Sequence, residues 1–213
     1  MTENNVDPYE VVKQRYESTV DSFILSDLFD PTLESNQELI DDVKDNRLVI
    51  YTAFTGNYDE LKEPEFIDEN CDYVCFTENP DLESDTWKIV QMEKSTLDDN
   101  RKAKQYRLFT DKYFPDYKYS FWLDGTFRIK GSIREYIYKN IKASSPMLCV
   151  VHTERDCVYE EYEASKIIPR YPRAVMEEQI NYYKNQGFPK KYGLGVMGAI
   201  FRKHNDPAII KVM

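Results

Sequence analysis

The chain has 213 residues, 41% of them hydrophobic and 14% aromatic, which is enough for one globular domain with a sizeable core. Its formal net charge of −10 argues against a nucleic-acid partner, because a phosphate backbone is bound by a basic field. There is no long apolar run to cross a membrane, and the N-terminus does not read as a signal peptide. The four cysteines form no CxxC pair, so a reduced, cytoplasmic chain with structural thiols is expected.

Residues 1–46 are expected to form an acidic helical extension. Asp7 is placed to cap a helix, Pro8 stands at its first position, and Val11, Val12, Tyr16, Val20, Phe23 and Ile24 follow at roughly helical spacing. A single domain is expected over 47–213. "RLVIYTAF" (47–54) is a compact apolar run that ends in the turn signal "TGNYD". "CDYVCFT" (71–77) and "WKIVQM" (87–92) are the second and third strands. "DDNRKAKQYRLFTDKYF" (98–114) has helical spacing behind Asp98 or Asp99 as a cap. "YSFWLDG" (119–125) is the fourth strand, "SIREYIYKNIK" (132–142) a helix opened by Ser132, and "PMLCVVHT" (146–153) the fifth strand. "PRAVMEEQINYYKNQG" (172–187) is a helix ended by Gly187, "GLGVMGAIFRKHN" (193–205) the sixth strand, and "DPAIIKVM" opens a last helix. Strands that alternate with helices, several of them greasy on both faces, predict an α/β fold with a mainly parallel sheet flanked by helices.

In open α/β sheets ligands bind beyond the carboxyl ends of the strands. The polar groups expected there are Thr52, Thr55, Gly56, Asn57 and Tyr58 after strand one, and Thr77 and Glu78 after strand two. Asp124, Gly125 and Thr126 follow strand four, and His152, Thr153, Glu154 and Arg155 follow strand five. Asp124, at the end of a buried run, is a hard oxygen ligand suited to Mg²⁺ or Mn²⁺, and Gly125 lets a ligand approach the backbone. The competing reading is an ordinary Asp-Gly turn. Arg101 and Lys104 are three apart on the preceding helix, and Arg107 extends the row. Such a row would hold a diphosphate, or it is a solvated basic face. His152 and Arg155 are candidates for substrate contact, and Glu160 or Glu161 for a general base, unless "EEYE" is the wet side of a helix. His204 is read as a surface residue at a strand end and the cysteines as core.

The segments "IYTAFTGNYDEL", "DYVCFTENPD", "DDNRKAKQYR", "FPDYKYSFWLDGTFRI", "CVYEE", "EQINYYKNQGFP" and "GLG…IFRKHN" come in an order that resembles a glycosyltransferase-like domain family. That family, of plants and bacteria, was long catalogued as a domain of unknown function, and its plant members act in pectic polysaccharide synthesis. The resemblance runs from about residue 47 to the end. It implies a GT-A-like, Rossmann-like fold in which an Asp-x-Asp motif holds Mn²⁺ or Mg²⁺ on a sugar-nucleotide diphosphate. Here the motif reads Asp124-Gly125-Thr126, with Thr126 in place of the second acid. The implied metal ligand is Asp124. The implied donor site is Thr52, Ala53, Gly56, Tyr58, Thr77, Arg101, Lys104, Asp124, Gly125 and Thr126. The implied acceptor side is His152, Arg155, Gln179 and Gly195, with His152 and Glu160 as catalytic candidates. The family continues past Met213 with an Arg-Asp-Gln segment, so the expectation is either a C-terminally truncated piece or an incomplete catalytic set.

The expected function is metal-dependent transfer of a hexosyl or glycuronosyl group from a nucleotide-diphosphate donor to a glycan. The alternative is a GT-A-like module that binds nucleotide-sugar or glycan without turnover. A hydrolase built on Glu160 and Glu161 ranks lower, since neighbouring helical residues point about 100° apart.

Overall fold

The computed structural model describes residues 36–56, 60–142, 145–168, 172–204, 206 and 209. Residues 1–35, which carry the expected N-terminal helix, and the loop residues Asn57 and Tyr58 lie outside the described residues, as does most of the expected last helix.

The described elements are α1 (Gln37–Asp45), β1 (Leu48–Phe54), β2 (Cys71–Thr77), β3 (Lys88–Gln91), α2 (Asp99–Leu108), α3 (Thr110–Tyr113), β4 (Tyr119–Leu123), α4 (Ile133–Asn140), β5 (Met147–Val151), α5 (Val158–Ser165), α6 (Arg173–Asn185) and β6 (Gly195–Lys203). Among the described residues two compact units are found: one covers 151–196, the other 36–150 together with 197–209.

The six strands form one sheet in the order β3-β2-β1-β4-β6-β5. β3, β2, β1 and β4 run parallel, and β6 is antiparallel to β4. This is the Rossmann-like α/β architecture that the alternation of elements predicts. Every residue of β1 and of β4 is buried. Their greasy runs do not alternate because both faces of the sheet are covered. Leu48, Ile50 and Phe54 of β1 join Phe121 and Leu123 of β4 in one core. Val49, Tyr51 and Ala53 join Trp122 in the other.

Helix α1 belongs to this core, although its residues fall within the segment read as an extension. Val43 is fully buried, and Asp42 accepts hydrogen bonds from Lys118 Nζ (2.6 Å) and from the Tyr119 hydroxyl. The helix expected over 98–114 breaks at Phe109, whose ψ of 56° is not helical. Beyond the break Tyr113 stacks on Tyr106 at 4.4 Å, and Tyr106 stacks on Phe76 of β2 at 4.4 Å. Aromatic burial against the sheet therefore overrides the helical spacing.

Strand order places the site. The chain leaves β1 for β2 and β3 on one side, then returns to lay β4 on the other. The order reverses between β1 and β4, and such a switch point opens a crevice beyond the strand ends.

Candidate functional site

Asp124 stands at that switch point, one residue past β4. Its N–H donates to the Gly198 carbonyl at 2.7 Å, which extends the β4–β6 pairing, and its carbonyl accepts from the Phe127 N–H at 3.0 Å. The second bond closes a turn over Gly125 and Thr126, as an Asp-Gly sequence favours. The side chain is 37% exposed. Trp122 Nε1 donates to its Oδ1 at 2.7 Å, and the Arg107 guanidinium lies 3.8 Å from the same oxygen.

Gly125 has a local reason to be glycine. A Cβ built on it would meet Phe54 Cε1 at 2.6 Å and Cζ at 2.7 Å. The Phe54 ring at the end of β1 lies directly against this backbone. Beside them is a hollow lined by Thr52, Phe54, Leu61, Lys62, Trp87, Leu123, Asp124, Gly125, Phe127 and Ile129. Thr52 is only 3% exposed, and its Oγ1 has no hydrogen-bond partner among the described residues. Buried hydroxyls are nearly always bonded, because an unmet one costs about 1–3 kcal/mol. The wall of the hollow thus carries an uncommitted hydroxyl.

The other donor-site residues are more dispersed. Ala53 packs on the opposite face, beneath Tyr106. Thr77 Oγ1 accepts from the Asn79 N–H at 3.1 Å and so fixes the turn after β2. Gly56 has φ of 63°, a left-handed conformation that favours glycine, and starts the loop after β1. Thr126 is exposed, and its carbonyl accepts from Lys62 Nζ at 2.7 Å.

The cationic row is not one face. At 100° per residue a step of three turns back by about 60°, so Arg101 and Arg107 differ by about 120° and by about 9 Å along the axis. Arg101 is 67% exposed and pairs at 3.2 Å with Asp98, the residue that caps its helix. Lys104 is exposed. Lys102 is held by Glu78 and Asp99 at 2.7 and 2.9 Å, and hydrogen bonds to these carboxylates raise its pKa. Arg107 is the cation of this helix that reaches Asp124.

Among the described residues no three His, Cys, Asp or Glu side chains converge as a metal cage. Asp124 offers one carboxylate.

The 151–196 unit has its own polar cluster. His152 Nδ1 accepts from the backbone N–H groups of Glu154 (3.2 Å) and Arg155 (3.1 Å), and Nε2 lies 3.1 Å from Arg155 Nη2. Glu161 Oε2 accepts from Arg155 Nε at 2.6 Å and lies 3.7 Å from His152 Nε2. "EEYE" is helical, as α5, and Glu161 is the glutamate that turns inward to this pair. Glu160 is exposed. Gln179 Nε2 donates to the Tyr183 hydroxyl at 2.8 Å. Tyr183 touches Tyr182 and Phe188, and Phe188 touches Tyr192, all with ring centroids 5.6–6.0 Å apart. Tyr182, Phe188 and Tyr192 are exposed, Tyr192 to 75%. Gly195 is half-buried at the start of β6. The exposed rings are visible in the sequence as "YYKNQGFPKKY" (182–192), the last turn of α6 and the segment after it.

Strand order and helix cover together define a Rossmann-like α/β domain with its topological switch point between β1 and β4. The model of the family described as "TOD1/MUCI70, glycosyltransferase-like domain" matches residues 78–199, more than half of the chain, and the protein belongs to that family. The match takes in Arg107, Asp124 and the His152 cluster; β1 precedes it. The chain is also similar to a protein of Arabidopsis thaliana named probable hexosyltransferase MUCI70. The two are 24% identical over 159 residues, covering 66% of this chain and 27% of the relative. The chain thus spans about a quarter of the length of the curated relative it matches.

Proposed function

We propose that this domain binds a nucleotide-diphospho sugar at the β1–β4 switch point and passes its glycosyl group, a hexosyl or glycuronosyl unit, to a glycan acceptor. One observation carries the reading: Asp124, a half-exposed carboxylate oriented by Trp122, shares a hollow with the buried, unpartnered hydroxyl of Thr52 at the strand ends. The family to which the chain belongs, and the hexosyltransferase name of its relative, support the same class.

The residues fit a divalent cation that arrives with its substrate. Mg²⁺ is commonly bound through one or two carboxylates plus substrate phosphates and keeps several waters. A single Asp124 meets that need. Mn²⁺ or Mg²⁺ bound there would neutralise the diphosphate as it leaves. The chain's own groups do the rest. Trp122 fixes the Asp124 rotamer, the missing Gly125 side chain leaves room for the Phe54 ring at the hollow's wall, and Thr52 supplies a hydrogen-bonding group. For the acceptor, the exposed rings of Tyr182, Phe188 and Tyr192 offer flat apolar faces to stack on a sugar, and the two tyrosines add polar tips. His152, Arg155 and Glu161 form a polar cluster in the same unit.

Calorimetric titration with a panel of nucleoside diphosphates, with and without Mn²⁺, tests the proposal. At least one should bind in a Mn²⁺-dependent way, and Asp124→Asn should remove the Mn²⁺ dependence while leaving Tm nearly unchanged. Metal-independent binding that Asp124→Asn does not alter would sink the assignment of Asp124. Metal-dependent binding without consumption of any sugar nucleotide would favour the non-catalytic module.

A further inference from the structure

We infer that Arg107 is the residue that takes the charge of the donor's diphosphate, and that Arg101 and Lys104 on the same helix do not; the inference rests on the donor-site reading above. Arg107 is the cation of α2 that the fold delivers to the strand tip, where Lys62 is already held by the Thr126 carbonyl at 2.7 Å. Its guanidinium lies 3.8 Å from Asp124 Oδ1, beyond hydrogen-bond range, with its side chain 18% exposed. Its Nη1 donates to the Met197 carbonyl at 3.3 Å. Its own carbonyl accepts from Arg202 Nη1 at 2.7 Å and from the Tyr51 hydroxyl at 3.3 Å. Backbone and head group are thus both anchored, yet most of the five N–H donors are not committed among the described residues. A fixed, partly desolvated guanidinium with donors to spare is suited to grip phosphate oxygens in pairs.

Local charge points the same way. Arg202 is 5% exposed and bonds to the Tyr51 hydroxyl (3.0 Å) and the Arg107 carbonyl, both neutral groups. Burial pushes the Tyr51 hydroxyl up to about 12, so it supplies no negative charge at neutral pH. Arg202 and Arg107 thus lie together, and the carboxylate that Arg107 meets, Asp124, stays at 3.8 Å. A buried charge excess of this kind is costly unless an anion completes it. A diphosphate at the hollow would do so, and a divalent cation held by Asp124 would be its other partner. Arg101, spent on its own helix cap and facing water, has neither the position nor the desolvation.

The test uses inorganic pyrophosphate, a nucleoside-diphosphate panel and the corresponding nucleosides as probes, each titrated calorimetrically in Mn²⁺. Arg107→Gln should weaken pyrophosphate and nucleoside-diphosphate binding tenfold or more and leave nucleoside binding within twofold. Arg107→Lys, which keeps charge but loses the paired geometry, should fall between. Arg101→Ala and Lys104→Ala should stay within twofold of wild type for every probe. Pyrophosphate affinity unchanged in Arg107→Gln would overturn the inference. So would equal losses for nucleoside and diphosphate, which mark a structural role, or a larger loss from Arg101→Ala or Lys104→Ala. If Arg107→Gln fails to fold, the Arg107→Lys arm decides by the same criteria. Wild-type protein that binds no diphosphate at all would overturn the donor-site reading, and this inference with it.

Discussion

Gly125→Ala is the sharpest structural perturbation of the site. The new Cβ would lie 2.6 and 2.7 Å from two atoms of the Phe54 ring, a separation that real Cβ atoms do not tolerate. The ring is only 9% exposed and sits in the main core, so it cannot swing freely into water. Overpacking of this kind costs roughly 1–3 kcal/mol. At about 2–4 °C per kcal/mol for a chain of this size, Tm should fall by roughly 2–12 °C. Gly131→Ala is the internal control. Nothing lies within 4 Å of a Cβ there, so it should leave Tm unchanged or raise it slightly through the loss of unfolded-state freedom. Shrinking the partner should relieve the clash. Phe54→Leu alone is destabilising, but the Phe54→Leu/Gly125→Ala pair should be more stable than the sum of the two, with a coupling of about 0.5 kcal/mol or more. Thermal melts followed by near-UV circular dichroism would measure all four proteins. Equal Tm values for Gly125→Ala and Gly131→Ala, or strict additivity in the double variant, would refute the contact as the reason for glycine.

Thr52→Val removes a buried hydroxyl that has no partner, so the ligand-free protein should be as stable as wild type or more so, by up to about 1–3 kcal/mol. The same change should weaken nucleoside-diphosphate binding; a variant that is destabilised and binds normally would contradict the ligand role. His204 is 2% exposed. Burial holds its pKa below the usual 6.5, outweighing the raising effect of the nearby Phe114 and Tyr117 backbone and of Asp111, while Arg202 acts in the same direction as burial. The unfolded ring takes up a proton near pH 6.5 and the folded ring only at lower pH, so this contribution to stability is complete above that range and declines as pH falls, by at most about 1.4 kcal/mol per pH unit. His204→Gln should flatten Tm between pH 7.5 and 5; an unchanged slope would show that another group sets it.

Composition and short-range pattern were enough to determine the class of fold. The runs "RLVIYTAF" and "YSFWLDG" are continuous in apolar residues because their strands are covered on both faces, and that is a local property of the chain. The place of Asp124 followed too, since a carboxylate that ends such a run must emerge at a strand tip. Which groups meet there was decided only by the tertiary structure. Sequence spacing ranked Arg101 with Lys104, but rotation along α2 and the crossing of β6 brought Arg107 to Asp124. The sequence reading put Glu160 beside His152 as a catalytic candidate, but the fold of residues 152–161 turned Glu161, not Glu160, to His152 and Arg155. Nothing local marks Thr52 as an unsatisfied hydroxyl or Gly125 as the floor under Phe54, because both facts depend on strand order, which sets two segments far apart in sequence side by side. A periodic pattern reports which face of an element is dry. It carries no information on which other element dries it, and the chemistry at this sheet's edge is made by those pairings.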